Sequence, residues 1–274
     1  MTIREQMRAF AERWGREVVV GGVSWRYYRL GAGSPLLWLT GGLRRAALGF
    51  AFLERIAARH TVIAPDYPPV RTAAEFSAAF DAIRQAEGVG AVALLGQSYG
   101  GLLAQVYLAQ RPQAVERLIL SSTGPADYGR VWLPVEYVSG ALARILPERT
   151  LKKALAGGLL RVAGLPEAGH AAWQEAIWDV LDRDLSRRDV ISHFQVAADW
   201  IGRGIVTPAA YRRWAGPVSV LRAANDPTQG QKDIPQYERL FGRPVRVVDM
   251  GAMGHAAVLF DAGRYVELLE GELA

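Results

Sequence analysis

The sequence predicts an α/β fold, in which helices cover both faces of a mostly parallel sheet. Short, uninterrupted apolar runs alternate with segments of helical periodicity as far as residue 123, and this alternation returns after residue 214. Between these points residues 124–214 have helical periodicity only, and they hold five of the eight tryptophans. We therefore expect a sheet domain of residues 1–123 and 215–274, with a helical cap (124–214) inserted before its next-to-last strand.

The sheet domain is predicted to begin with a hairpin, because EVVV and VSWRYY flank the turn signal Gly21-Gly22. Thr72 and Glu75 have the spacing of a capping box and mark the start of a helix. The later strands are predicted in PLLWL, TVIAP, AVALL, VERLILSS, PVSVLRAA and VRVVDM. The helices are predicted in RAALGFAFLERIAARH, TAAEFSAAFDAIRQAEG, GGLLAQVYLAQ, QKDIPQYERLF and DAGRYVELLEGEL.

The segment Thr2 to Trp14 is predicted to form an amphipathic helix with an apolar stripe of Ile3, Met7, Phe10 and Trp14. Such a stripe could lie on a membrane or on a partner chain. Packing on its own domain is the favoured interpretation, because most amphipathic helices cover their own core.

The composition excludes several classes of function. The chain has no cysteine, which removes disulfides, cysteine zinc sites and a thiol nucleophile. The charged N-terminus and the lack of any run of about 20 apolar residues predict a soluble, cytoplasmic protein without integral membrane contact. The net charge is +5, but the arginines are scattered among acids, so no nucleic-acid partner is predicted. The four histidines lie far apart and GQSYGG lacks dinucleotide spacing, so neither a metal nor a cofactor is expected.

The stretch GQSYG places Ser98 between a buried strand and a helix. It matches G-x-S-x-G, in which a nucleophilic serine occupies a strained strand-to-helix turn and only small neighbours leave room for the backbone. The motif alone is weak, but its position in an alternating α/β chain makes the prediction specific. A serine hydroxyl also needs an adjacent base to act as a nucleophile.

In this context the whole chain resembles the α/β-hydrolase superfamily. The resemblance implies that an acid follows the next-to-last strand and that a histidine follows the last one. After PVSVL the stretch RAANDPT offers Asp226, and after VRVVDM the stretch GAMGHAAVLF offers His255. His255 would take and return the Ser98 proton, and Asp226 would hold the imidazole and stabilise its cation.

The resemblance also implies an oxyanion hole of two N–H donors, each contributing about 3 kcal/mol. Tyr99 would supply one backbone N–H at a helix N-terminus. The second is assigned to Gly42, with Leu43 as the alternative. This chain has Thr40-Gly41-Gly42-Leu43 where many members of the superfamily carry His-Gly.

Other polar residues have weaker claims to the site. Asp127 follows the VERLILSS strand and is the rival triad acid, and Asp226 could instead only cap a turn. Asp66 is interpreted as structural and His60 as a surface residue. Neither His170 nor His193 is expected to be catalytic, although His193 could face the cleft.

The short stretches GQSYGGLLAQ, ERLILSS, YPP and LSRRDVISHFQVAADW resemble the maspardin-like branch of the superfamily. A serine nucleophile indicates acyl chemistry, and a tryptophan-rich cap favours an apolar acyl pocket. We expect a serine hydrolase for a small-molecule ester, thioester or lactone. A cofactor-free perhydrolase or acyltransferase on the same triad, a non-catalytic binding protein and a homodimeric state remain open.

Overall fold

Eight strands form a single sheet in the computed structural model, which describes residues 1–127, 129–165 and 167–273. The strands are β1 (Gly15–Val20), β2 (Val23–Leu30), β3 (Ser34–Leu39), β4 (His60–Pro65), β5 (Val92–Gln97), β6 (Val115–Ser121), β7 (Val218–Arg222) and β8 (Arg246–Asp249). Their order is β1-β2-β4-β3-β5-β6-β7-β8. The hairpin β1–β2 and the pair β2–β4 are antiparallel, and the remaining pairs are parallel. The predicted mostly parallel sheet is therefore confirmed.

Helices lie on both faces of this sheet. They are α1 (Ile3–Trp14), α2 (Phe50–Ile56), α3 (Ala73–Ala86), α4 (Tyr99–Gln110), α5 (Leu133–Ile145), α6 (Glu148–Ala163), α7 (His170–Asp179), α8 (Arg187–Arg203), α9 (Pro208–Tyr211), α10 (Asp233–Phe241), α11 (Ala257–Phe260) and α12 (Ala262–Leu273). Short 3-10 turns occupy Ala46–Gly49, Pro112–Ala114 and Arg130–Trp132, and a π-helical turn occupies Val180–Asp184. Among the described helices, none is both long and apolar enough to cross a bilayer.

Two apolar cores sandwich the sheet because successive strand side chains point to opposite faces. On β3, Leu37 belongs to the core beneath α3 and α4, whereas its neighbour Leu36 belongs to the core beneath α2 and α12. Every residue of β4 and β5 is buried. This two-sided burial explains why the central strands are continuous apolar runs rather than alternating ones.

Helix α1 packs on its own domain, as the sequence favoured. Thr2 and Glu5 form a capping box at its start, which was not anticipated. Met7 and Phe10 are buried in the core beneath α2 and α12, and Phe10 lies 5.2 Å from the ring of Tyr28. The apolar stripe of α1 is thus already covered by this chain.

The expectation that His60 lies on the surface is wrong. His60 is the first residue of β4, and only 7% of it is exposed. Its Nε2 atom lies 3.5 Å from the Glu270 carboxylate of α12. His60 was expected in an exposed loop because it precedes an apolar run. It is buried because helix α12 covers this end of the sheet.

The segment between β6 and β7 contains α5 to α9 and, among its described residues, no strand. Helices α5 and α8 pack together, with Gly140 and Ala143 buried between them. Helix α8 begins at a capping box of Ser186 and Asp189 and ends at Gly204 in the left-handed conformation. The chain therefore leaves the sheet at Ser121, builds a layer of helices and returns at Val218.

Asp66 is structural, which agrees with its interpretation from the sequence. Its carboxylate accepts hydrogen bonds from the Ala46 N–H (2.7 Å) and from the Tyr28 hydroxyl (3.1 Å). These bonds join the end of β4 to β2 and to the loop after β3. Burial raises the pKa of Asp66 to about 6, and the cations Arg45 and Arg26 oppose this shift.

Substitution of Asp66 should change how stability depends on pH. A carboxyl with a raised pKa stabilises the folded state below the unfolded pKa of about 4, and this contribution is lost as pH rises through about 6. Between about pH 4 and pH 8 the wild type should therefore lose about 2 kcal/mol relative to Asp66→Asn, with solvent screening included. Urea unfolding of both proteins measures this difference. Parallel pH profiles would contradict the assignment.

Candidate active site

The backbone at Ser98 makes the sharp turn between β5 and α4. Ser98 has φ 54° and ψ −122°, a conformation that residues with side chains rarely adopt. A Cβ on Gly100 would lie 2.1 Å from the carbonyl oxygen of Leu39, and one on Gly96 would lie 2.5 Å from the carbonyl oxygen of Gly100. These glycines are therefore required sterically, and they let the turn press against the end of β3.

The structure brings Ser98, His255 and Asp226 together. His255 Nε2 lies 3.0 Å from Ser98 Oγ. On the other side of the ring, His255 Nδ1 lies 3.1 Å from both carboxylate oxygens of Asp226. Asp226 follows β7 and His255 follows β8, so three loops at the same edge of the sheet supply the three side chains.

Thr228 belongs to this arrangement and was not singled out from the sequence. Its hydroxyl donates to Asp226 Oδ1 (2.7 Å) and lies 2.9 Å from His255 Nδ1, and its backbone N–H also donates to Oδ1 (2.8 Å). Burial tends to raise the pKa of Asp226, but His255 and the Thr228 bonds outweigh it and lower that pKa. The stretch Asp226-Pro227-Thr228 held a signal for this contact that was not used, because an Asp in a turn often bonds the backbone two residues on.

The His255 loop is held by two further polar residues. Asn225 accepts a hydrogen bond from the Gly254 N–H (2.8 Å) and donates one to the Ala252 carbonyl (3.1 Å). Gln97, directly before the serine, donates to the His255 carbonyl (3.2 Å). The loop that carries Asp226 and the last residue of β5 therefore hold the backbone around His255 in place.

The rival acid Asp127 is engaged elsewhere. It accepts a hydrogen bond from Gln236 (2.7 Å) and lies 3.6 Å from the guanidinium of Arg239. Both partners are on α10, whereas the imidazole of His255 contacts Asp226. The geometry thus favours Asp226 as the partner of the histidine.

The loop after β3 lies beside Ser98, where the second oxyanion donor is expected. A Cβ on Gly41 would be 2.7 Å from Gln97 Oε1 and 3.4 Å from Ser98 Cβ, so Gly41 presses on the turn. Gly42 lines the same cavity as Ser98, Tyr99 and His255. Tyr99 is the first residue of α4, where N–H groups have no intrahelical acceptor.

Arg44 anchors this loop in a buried position that the sequence did not reveal. It has φ 61° and is 1% exposed. Its guanidinium donates to the carbonyls of Tyr67 (3.2 Å) and Pro68 (2.8 Å) and to the Ser192 hydroxyl (3.1 Å) of α8. It also lies 3.6 Å from the Asp189 carboxylate, and burial lowers its pKa. Arg44 thereby joins the loop to the helical layer.

A cavity of about 490 Å³ opens beside the serine. Its apolar wall comes from α6, through Leu155, Leu159 and Val162, and from Leu102 of α4. None of the five tryptophans of the helical segment is among the described lining residues. Trp173 instead packs on Phe260, with 5.0 Å between the ring centroids. The part of the wall that α6 contributes is therefore aliphatic, and the aromatic lining comes from Tyr99 and His193. A larger groove of about 560 Å³ lies at α1, away from the serine.

His193 lines the same cavity as Ser98 and His255. Its ring stacks on Tyr99 with 3.9 Å between the centroids, and its Cε1 atom is 3.9 Å from where a Cβ on Gly42 would lie. Burial, assisted by the charge of Arg44, lowers the pKa of His193 to about 3. The imidazole is therefore neutral at ordinary pH. His170 begins α7 and does not line this cavity among the described residues.

The side chains described around Ser98 do not include a set of metal ligands. In residues 1–127, 129–165 and 167–273, no group of three His, Asp or Glu side chains is arranged to hold a metal ion. The polar groups at the cavity are instead one serine, one histidine–carboxylate pair and backbone N–H donors, an arrangement suited to nucleophilic attack on a carbonyl carbon.

Comparison with protein families matches this chain to the alpha/beta hydrolase fold over residues 35–262. This stretch runs from β3 to the start of α12 and includes all three residues of the serine, histidine and aspartate arrangement. A search of the curated proteins found no match.

Solved structures give the same fold. A hydrolase from Pseudomonas aeruginosa PA01 is 21% identical, with a TM-score of 0.73 over 93% of this chain and 98% of that one. The enol-lactonase from Burkholderia xenovorans LB400 is 16% identical, with a TM-score of 0.75 over 94% and 99%. A thermophilic esterase from Thermogutta terrifontis is 18% identical, with a TM-score of 0.73 over 94% and 97%. At these identities the likeness shows the fold, and the reaction must be argued from the site.

Loss of the Thr228 hydroxyl should weaken the site without unfolding the protein. Thr228→Val removes one hydrogen bond to a charged carboxylate and one contact to the imidazole, so the second-order rate constant for labelling of Ser98 by a fluorophosphonate should fall about 10- to 100-fold. Thr228→Ser retains the hydroxyl and is the matched control. Wild-type kinetics in Thr228→Val would show that the backbone N–H of residue 228 suffices to hold Asp226.

Proposed function

Because the chain belongs to the α/β-hydrolase fold family, we propose that it is a serine hydrolase acting on a carboxylic ester, or a related thioester or lactone, through an acyl-enzyme on Ser98. The observation that carries the proposal is the 3.0 Å approach of His255 Nε2 to Ser98 Oγ. That distance is within reach for proton transfer, and the strained turn holds the hydroxyl at the cavity.

In the first half-reaction, Ser98 Oγ attacks the substrate carbonyl carbon while its proton moves to His255 Nε2. The Asp226 carboxylate, its pKa already lowered by its neighbours, remains ionised and stabilises the imidazolium. The tetrahedral intermediate collapses, the carbon–oxygen bond to the leaving group breaks, and His255 returns the proton to that oxygen. The acyl group remains on Ser98.

The negative charge that develops on the carbonyl oxygen needs donors fixed in advance. We assign these donors to the backbone N–H groups of Tyr99 and Gly42. The helix dipole of α4 supports the assignment of the Tyr99 N–H. The hydrogen bonds from Arg44 to the Tyr67 and Pro68 carbonyls support the assignment of Gly42, because they make its loop rigid.

In the second half-reaction, water takes the place of the leaving group. His255 removes a proton from the water, which attacks the acyl carbon, and the proton is then returned to Ser98 Oγ as the acid is released. The same site would act as an acyltransferase or perhydrolase if an alcohol or hydrogen peroxide replaced water. The acyl-enzyme is common to these reactions, and only the acceptor differs.

The aliphatic wall of the cavity supports a substrate with an apolar acyl part. Leu102, Leu155, Leu159 and Val162 would contact it, and each buried methylene contributes about 0.8 kcal/mol. Residues 124–214 would then form a cap whose helix α6 closes the acyl pocket. The neutral His193 fits this role, because a charged imidazole would oppose apolar binding.

Replacement of the nucleophile should abolish turnover. Ser98→Ala is expected to lower kcat on any accepted ester at least about ten-thousandfold, while the melting temperature changes by less than about 2 °C. The exposed Ser24, changed to Ala, is the matched control and should keep full activity. Comparable residual turnover in Ser98→Ala would exclude the mechanism.

Labelling with a fluorophosphonate, read by intact mass and peptide mapping, tests the proposal without a known substrate. One adduct on Ser98 is expected, and it should be lost in His255→Ala because the base is gone. A panel of esters, thioesters and lactones, with water, alcohol and peroxide as acceptors, then assigns the reaction. No adduct on folded protein would favour a non-catalytic binding protein.

A further inference from the structure

His193 is the residue that α8 contributes to the described lining of the catalytic cavity. Its ring stacks on Tyr99, with 3.9 Å between the centroids, and meets the ring of Phe194 edge-on at 5.3 Å. In the described chain, neither ring nitrogen makes a hydrogen bond to the protein. Neither nitrogen is enclosed by protein atoms, and the residue is only partly buried. Both nitrogens are therefore available to a molecule in the cavity.

The position of this imidazole is fixed from two sides. The hydroxyl of the preceding Ser192 donates to the Val70 carbonyl (2.6 Å), accepts from the Val70 N–H (3.0 Å) and accepts from Arg44 (3.1 Å). These bonds hold the α8 backbone beside His193, and the stack on Tyr99 holds the ring. A donor that is in place before the substrate arrives needs no reorganisation during the reaction.

The imidazole is also in the protonation state of a neutral donor. Burial and the charge of Arg44 lower the pKa of His193 to about 3, so one nitrogen carries a hydrogen and the other a lone pair. If the ring served only to pack on Tyr99, both nitrogens would lose their hydrogen bonds to water when a substrate fills the cavity, which is unfavourable. A substrate oxygen that accepts from the N–H removes part of this penalty.

His193 lies against both residues to which the oxyanion donors are assigned. It stacks on Tyr99, and its Cε1 atom lies 3.9 Å from where a Cβ on Gly42 would be. Because Cε1 is bonded to both ring nitrogens, the edge of the imidazole that carries them lies beside Gly42. All three residues line the cavity together with Ser98. The imidazole is therefore next to the place where the carbonyl oxygen is expected.

We propose that His193 donates a hydrogen bond to the carbonyl oxygen of the bound ester, as a third donor beside the backbone N–H groups of Tyr99 and Gly42. This inference rests on the proposed acyl-enzyme chemistry. The hydrogen stays on the imidazole, so the proton transfers among Ser98, His255 and the leaving group are unchanged. The bond strengthens as negative charge develops on the oxygen, so it stabilises the transition state more than the bound ester. The sequence did not predict this role for His193.

The rate at which a fluorophosphonate labels Ser98 tests this donor, because the phosphoryl oxygen takes the place of the carbonyl oxygen and gains charge during attack. His193→Phe keeps a ring to stack on Tyr99 and removes both nitrogens, so the second-order rate constant should fall about 10- to 100-fold. His193→Asn and His193→Gln carry an N–H near the positions of Nδ1 and Nε2, and one of them should label at least about fivefold faster than His193→Phe. On an ester that the panel yields, His193→Phe should lower kcat and leave KM within about twofold.

The controls separate this donor from packing and from the acyl-enzyme itself. His170→Phe makes the same change at an exposed histidine outside the described cavity lining, and it should label like the wild type. A wild-type rate in His193→Phe would overturn the proposal while the acyl-enzyme stands. Slower labelling of both amide variants than of His193→Phe would also overturn it, because packing alone predicts that order. An unlabelled wild type would instead refute the acyl-enzyme, and this inference with it.

Discussion

The rest of the site depends on one steric constraint, the absence of side-chain atoms around the turn at Ser98. Gly100 approaches the Leu39 carbonyl so closely that a single methyl group would overlap it, and Gly96 meets Gly100 in the same way. This contact docks the start of α4 on the end of β3. It aligns the serine with the loop after β3 and with the histidine loop, so the local strain at Ser98 is supported by the surrounding core.

The strands, the turn at Ser98 and the positions of Asp226 and His255 could be predicted from the sequence, because each depends on a short local pattern of residues. Continuous apolar runs report two-sided burial of parallel strands, and glycines around Ser98 report close backbone approach. Asp226 and His255 could be placed because each directly follows a strand, and parallel strands deliver their following loops to the same edge of the sheet. The family match covers this part of the chain. The resemblance to the maspardin-like branch, and the boundaries of the cap, remain predictions.

What escaped prediction depends on contacts between residues distant in sequence. Arg44 was indistinguishable from the scattered surface arginines, because its partners Tyr67, Ser192 and Asp189 come from other elements. His60 was assigned to the surface because nothing near it indicates the cover by a C-terminal helix. The apolar wall was expected from tryptophans, whereas short aliphatic residues of α6 supply it. Packing partners of this kind are fixed by tertiary structure, not by periodicity.

The buried position of Arg44 has a mechanical consequence for helices α6 and α8, which line the cavity beside Ser98. Helix α8 is bound to the core by the buried cation of Arg44 and by the Ser192 hydroxyl, which donates to the Val70 carbonyl and accepts from the Val70 N–H. Displacing α8 would leave Arg44 buried without these partners, at a cost of about 3–5 kcal/mol. Helix α6 touches the site through aliphatic side chains, which can slide. The side of the cavity formed by α8 is therefore held by buried polar contacts, whereas the side formed by α6 is held by apolar packing.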